Sequence, residues 1–251
     1  MSKYVDSHAH LINKYYNDLE DLINNIDDTI VIINGIDYES NAEILNIIDK
    51  KPNLYGALGI HPTDVDNHSF EELEEVFKKT KNKKVIAIGE TGLDLYWDKN
   101  NLEKQKKFFK LHLDEARKRK KPVIIHSRGA EEEVYEILKD YKDVKSILHC
   151  FGGDLETAKK FIGLGALIGI GGVVTFKNAK ELQKIVKSID IENIITETDS
   201  PFLSPEPNRG KRNEPSNIKY IVRKIADLKG LNDIEVKEAI YKNFKRQFDL
   251  K

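Results

Sequence analysis

The chain has 251 residues, enough for one large domain or two small ones at roughly 150 residues each. Lys plus Arg (41) and Asp plus Glu (42) almost cancel to a net charge of -1, which excludes a protein that holds nucleic acid through bulk positive charge and requires any phosphate binding to be local. At 39% hydrophobic and 33% charged, with one cysteine, the composition is that of a soluble globular protein in a reducing compartment and excludes a disulfide framework or a cysteine-rich zinc module.

In chain order, short aliphatic and β-branched runs alternate with longer stretches of helical periodicity. The pattern predicts strands near Tyr4 to His8, Thr29 to Asn34, Leu54 to Ile60, Val85 to Glu90, Val123 to His126, Ser146 to Cys150, Ala166 to Gly171 and Ile194 to Thr198. Helices are expected between them, such as Phe70 to Lys79 and Leu102 to Lys120, with final helices after Pro215 and after Asp233. Eight alternations in about 200 residues fit a (β/α)8 barrel better than an open doubly wound sheet, although periodicity alone allows either. No linker rich in Gly, Pro or Ser divides the chain, so residues 1–251 are read as one domain. The polar, acidic start and the lack of an apolar run near ~20 residues predict a cytoplasmic protein without a membrane segment. The stretch Pro201 to Pro215 carries four of the seven prolines and follows the last strand, where a barrel builds part of its active-site rim.

His8 and His10 lie two apart at the end of the first strand, and the strand's two-residue period turns both imidazoles to one face. Glu90, His126, His149 and Asp199 close or follow four further apolar runs. In a parallel barrel those ends meet at one face, so four histidines and two carboxylates converge there. One buried histidine or acid at a strand end is usually a satisfied polar group. Six at equivalent positions exceed the needs of one tetrahedral ion and match two divalent ions sharing a carboxylate. Such ions generate a nucleophile by lowering the pKa of water from 15.7 to about 7, so no serine or cysteine nucleophile is needed. The site is expected to welcome an anionic substrate.

The segments Asp6-Ser7-His8-Ala9-His10-Leu11, Gly59-Ile60-His61-Pro62, Gly89-Glu90-Thr91-Gly92-Leu93-Asp94, His126-Ser127-Arg128, His149-Cys150-Phe151 and Glu197-Thr198-Asp199-Ser200-Pro201 resemble the motifs of the TatD family of metal-dependent hydrolases. Arg209 to Pro215 resembles that family's segment after the last strand, and the likeness covers nearly the whole chain. It implies a TIM-type barrel of the amidohydrolase superfamily with deoxyribonuclease activity, often 3′ to 5′ exonucleolytic. By motif, His8, His10, Glu90 and Asp199 would hold one metal, and Glu90, His126 and His149 the other. Gly152-Gly153 departs from a serine followed by glycine in many members, which touches a loop and no ligand.

Around this core, His61 is read as a substrate contact or proton donor instead of a ligand, the alternative being a ring bonded to a loop carbonyl. Arg128 is read as a phosphate clamp or the partner of a neighbouring acid. Arg209, Lys211 and Arg212 form a local basic cluster suited to DNA phosphates, unless merely a solvated loop. Tyr96 and Trp97 either stack on a base or pack under their loop. His68 and His112 are assigned to surface or packing, Gly169, Gly171 and Gly172 to a close approach of the seventh strand. Cys150, by alternation from His149, is expected to point away from the barrel centre.

The composite expectation is a metal-dependent phosphodiesterase acting on DNA, with Asp199 and Glu90 as catalytic groups and two divalent ions drawn from zinc, manganese, magnesium, cobalt or nickel, histidine-rich sites favouring magnesium least. DNA is the expected partner, with no obligate protein partner. An ester or amide hydrolase on the same centre is the alternative, and a non-catalytic barrel a third reading.

Overall fold

The computed structural model describes residues 2–97 and 100–250. Eight strands, β1 (Tyr4–Ala9), β2 (Thr29–Asn34), β3 (Leu54–Leu58), β4 (Val85–Asp94), β5 (Val123–Arg128), β6 (Ser146–Leu148), β7 (Leu167–Ile170) and β8 (Ile194–Thr196), form one parallel sheet in sequential order. Between them run α1 (Leu19–Asn24), α2 (Tyr38–Ile48), α3 (Phe70–Lys79), α4 (Leu102–Arg119), α5 (Glu131–Leu138), α6 (Leu155–Gly163) and α7 (Lys180–Ser188); α8 (Ile218–Lys229) and α9 (Asp233–Gln247) complete the shell. This is the predicted (β/α)8 barrel. β2 is buried at every position, as expected for a parallel strand covered on both faces, which reads as a continuous apolar run.

Because β8 is only three residues long, closure between β8 and β1 is completed by backbone and side-chain bonds past its end. Past its end, the Asp199 N–H donates to the His8 carbonyl at 2.9 Å and the His10 N–H to the Ser200 carbonyl at 2.7 Å. The Asp6 carboxylate accepts from the Thr198 N–H (2.8 Å) and hydroxyl (2.6 Å). Burial pushes the Asp6 carboxyl up to about 8, so the Thr198 bonds matter for satisfying a group taken out of water. The barrel is therefore stitched shut at the end that carries the candidate ligands.

The strand ends differ from expectation in an instructive way. β4 continues past Glu90 to Asp94, because Thr91 to Asp94 pair with Ile125 to Arg128 on a longer β5. β3, β6 and β8 stop early, at Leu58, Leu148 and Thr196. Cys150 and Asp199 both adopt left-handed backbone, at φ 45° and 56°, which breaks the alternation on which the Cys150 expectation depended. Its N–H bonds to Glu197 Oε1, and burial pushes its thiol up to about 12.

The long irregular stretch after β8 is organised by buried Asn213. Its amide donates to the Thr198 and Phe202 carbonyls at 2.8 and 2.7 Å, while its oxygen accepts from Glu214 N–H and from Asn217. Tyr16 donates to its carbonyl at 2.9 Å. A proline-rich loop with few ladder bonds thus becomes a fixed rim.

Candidate metal centre

Glu90 lies at the middle of the mouth, and its two oxygens face different partners. Oε2 lies 3.2 Å from His8 Nε2 and 3.6 Å from His10 Nε2. Oε1 lies 3.1 Å from His126 Nδ1 and 3.3 Å from His149 Nε2. Asp199 joins the first group, its Oδ1 3.6 Å from His10 Nε2 and 3.9 Å from His8 Nε2. The structure therefore brings together all six residues singled out from the sequence around the Glu90 carboxylate, and the sets close enough to hold a cation are His8-Glu90-His149, His8-His10-Asp199 and His61-Glu90-His126.

Glycine makes the approach possible. Gly92 has φ 141°, and a Cβ there would sit 2.0 Å from the His126 carbonyl oxygen, so a side chain would push β4 away from β5. Gly169 serves the same end on β7: a Cβ would meet a Glu197 carboxylate oxygen at 2.7 Å. The expectation that the β7 glycines make room for close approach holds at this position.

Neighbouring groups decide which ring nitrogens can ligate. His10 Nδ1 lies 3.1 Å from the Asn34 carbonyl, which can only accept, so Nδ1 carries the proton and Nε2 turns a lone pair toward Glu90 and Asp199. His126 Nε2 lies 2.9 Å from Asp94 Oδ2, leaving Nδ1 toward Glu90. His149 Nδ1 lies 3.4 Å from Glu197 Oε1, leaving Nε2 toward the centre. Asn34, Asp94 and Glu197 were not assigned such roles from the sequence. An acidic residue four beyond Glu90 and another two before Asp199 were the signals available, and partners of this kind characteristically orient metal-binding imidazoles.

His61 behaves differently. Its Nδ1 faces Thr63, accepting the Thr63 N–H at 3.2 Å and lying 2.7 Å from the Thr63 hydroxyl, while Nε2 lies 3.4 Å from Glu90 Oε1. His61, Glu90 and His126 are close enough to form a metal-binding triplet, so the structure brings His61 to the ligand set it was read as standing apart from.

The electrostatics are those of a cluster that wants a cation. Burial opposes ionisation of Glu90, but His8, His61 and His149 around it and the His126 bond outweigh this and hold its carboxyl well below the usual range. Burial likewise opposes charge on His149, and Glu90 and Glu197 reverse the balance and raise it well above an ordinary histidine. His8, fully buried, is lowered by burial first and by His149 second. His8 Nδ1 and Glu197 Oε2 are buried without a hydrogen-bond partner, and His149 Nδ1 has only its long approach to Glu197 Oε1. Imidazole nitrogens and carboxylate oxygens crowded together in a buried site, where the carboxylates favour positive charge on His149, fit divalent ions bound by imidazole and carboxylate.

Above the ligands lies a cavity of about 490 Å³ whose lining includes His10, His61, Glu90, His126, His149 and Asp199 together with Lys14, Tyr15, Trp97, Arg128 and Phe202. Arg128 forms none of the ion pairs found among the described residues; its guanidinium lies 3.9 Å from the Tyr96 ring centre. The basic loop is not brought to this cavity. Arg212 forms a two-pronged bond to Asp18 (2.5 and 2.7 Å) and a further one to Glu214 at 3.1 Å, and Arg209 lies over the Phe176 ring. Asp18 and Glu214 thus both engage Arg212, leaving Arg209 and Lys211 as the cluster's exposed cations without an ion pair among the described residues. His112 is wholly buried against β3, the packing alternative of its reading.

A parallel (β/α)8 barrel that gathers histidines and carboxylates at the C-terminal mouth of its strands defines a metal-dependent hydrolase of the amidohydrolase fold. The sequence pattern described as TatD related DNase matches residues 5–249, and the chain belongs to this TatD family. The metal-dependent hydrolase YabD of Bacillus subtilis is 39% identical over 250 residues, covering 97% of this chain and 98% of the relative. The metal-dependent hydrolase MJ1582 of Methanocaldococcus jannaschii is 37% identical over 254 residues, covering 98% of each. Among solved structures, YJJV, a TatD homolog from Escherichia coli K12, superposes with a TM-score of 0.91 at 26% identity, covering 99% of this chain and 98% of that one. No helix among the described residues is long and apolar enough to cross a membrane.

Proposed function

We propose that the protein is a metal-dependent phosphodiesterase that shortens DNA from its 3′ end, working in the cytoplasm with two divalent ions. The observation that carries the two-ion reading is the division of labour at Glu90, one oxygen facing His8 and His10, the other facing His126 and His149. His8, His10, Glu90 and Asp199 would hold one ion; Glu90, His126 and His149 the other. When bound, such ions make water nucleophilic near neutral pH and stabilise charge on phosphoryl oxygens.

The chain's own groups supply the rest. Asp199, buried beside His10 and His8, is placed to take the proton of the attacking water. Its carboxyl is opposed by burial yet held below the usual range, first by the His10 bond and then by the charges of His149 and His8, so it is ionised and ready to accept. His61, through Nε2–H, donates toward the oxygen on which charge develops. Arg128 and Lys14 at the mouth offer positive charge to the phosphates flanking the scissile bond. Arg209, Lys211 and, more weakly, Arg212 would add outer contacts. DNA is also the substrate suggested by the name of the matched family.

The test is hydrolysis of an end-labelled single-stranded DNA by metal-stripped protein, with Mg, Mn, Co or Zn restored separately. A ladder shortening from the 3′ end, dependent on metal and absent in Asp199→Asn, is expected. Two bound ions without cleavage by any of them would overturn the nuclease reading and shift it to an ester or amide hydrolase.

A further inference from the structure

Tyr96 and Trp97 are 63% and 68% exposed, so they do not pack under their loop. Their rings meet edge to face at 5.0 Å. Arg128, from the neighbouring strand, lies 3.9 Å from the Tyr96 ring centre and 5.5 Å from that of Trp97. Aromatic surface left this open beside a cation is costly to hydrate unless something covers it in use.

The backbone carrying these rings is firmly held. Asp94 Oδ1 accepts the N–H groups of Tyr96 and Trp97 at 2.9 and 3.0 Å. Its own N–H and carbonyl are bonded to Gln105 of α4 at 2.8 and 3.0 Å. The other carboxylate oxygen of Asp94 faces His126 Nε2 at 2.9 Å. One carboxylate, itself 1% exposed, therefore sets both the aromatic pair and a candidate metal ligand. Trp97, Arg128 and His126 line the same cavity, so anything resting on the rings lies beside the reacting centre.

We propose that Tyr96, Trp97 and Arg128 form a platform on which an unpaired nucleobase of the substrate strand stacks. The proposal rests on the nuclease reading above and deepens it. A base is the fitting occupant because its flat face covers aromatic surface, every base offers such a face, and the strand's phosphates complement the guanidinium. A base inside a duplex has both faces taken by its neighbours. The platform therefore selects unpaired strands and ends, with little dependence on sequence.

Trp97 is the chain's one tryptophan, so its emission reports on the platform without reference to turnover. Metal-loaded protein is titrated with an end-labelled, phosphorothioate-linked oligothymidylate that resists hydrolysis, and with an abasic strand of the same backbone. Anisotropy reads binding, and tryptophan emission reads stacking. We expect oligothymidylate to quench Trp97 with the same midpoint as the anisotropy change, and the abasic strand to bind roughly tenfold more weakly without quenching. Tyr96→Ala and Trp97→Ala should each weaken oligothymidylate binding by roughly tenfold and leave abasic binding unchanged. Equal binding of the two strands with unchanged emission would overturn the platform and leave the nuclease reading standing. Failure of folded, metal-loaded protein to bind either strand would overturn both.

Discussion

His8 at the mouth of the barrel and His112 beneath β3 are both fully buried, and their surroundings differ in kind. His112 is satisfied by neutral backbone: Nδ1 lies 2.7 Å from the Phe108 carbonyl, and Nε2 accepts the Ile60 N–H at 3.0 Å. With one donor and one acceptor matched, it is complete as a neutral ring, and burial pushes its pKa down to about 4. His8 sits among two other imidazoles and two carboxylates, one of its nitrogens without any partner. Burial alone produces a structural histidine; burial with converging carboxylates and unused lone pairs produces a place for a cation.

The largest effect that would break this contrast lies at Glu90. Glu90→Gln should cost activity by roughly 10³-fold or more, exceeding the loss from a typical acid–base group, with metal content falling from two ions toward one by elemental analysis. Full metal content in this variant would contradict a shared carboxylate.

Next comes His112, whose influence should be on stability and independent of metal. Its folded pKa of about 4 lies below the roughly 6.5 of an unfolded chain. Between those values the unfolded state binds more protons, so stability rises with pH across the window. The contribution is present above about pH 6.5 and is lost as pH falls toward 4, by about 3 kcal/mol. Denaturant unfolding of metal-free wild type and His112→Gln at several pH values checks this: the variant should be less stable at pH 7 and lack that share of the slope. Identical slopes would show that His112 titrates normally.

A smaller effect is expected one layer out from the ligands. Asp94→Asn and Glu197→Gln remove the acceptors that face His126 and His149, and each should weaken metal binding by roughly 10- to 100-fold in a calorimetric titration. Loss confined to turnover, with affinity intact, would argue against an orienting role. Last is the basic loop. Since Asp18 and Glu214 already engage Arg212, neutralising Arg209, Lys211 and Arg212 together should lower the salt slope of DNA binding by about two, and not by three.

Much of this architecture is legible in the sequence because barrel strands and their ends are local signals. A run such as Thr29 to Asn34 declares itself by composition, and six polar residues that end apolar runs become neighbours once the strands are parallel. Strand limits were less legible. Whether β4 stops at Glu90 or reaches Asp94 depends on pairing with β5, and whether Cys150 still alternates depends on a left-handed backbone at the turn. The basic loop misled for a similar reason. Arg212 is engaged by Asp18, 194 residues away, and nothing local announces that partner.

By itself, then, the sequence determined the alternation of strands and helices, the order of the elements and the six polar residues that end or follow apolar runs, since these follow from periodicity, while pairing in the order β1 to β8 settled the barrel against an open sheet. Only the tertiary structure decided which groups each histidine nitrogen faces, that His61 reaches Glu90, that His112 is sealed in backbone, and that Tyr96 and Trp97 stand exposed. Those properties are set by contacts between residues distant along the chain, such as Asn34 with His10 and Glu197 with His149. Hydrogen-bond chemistry acts over about three ångströms, and sequence spacing does not encode distances on that scale.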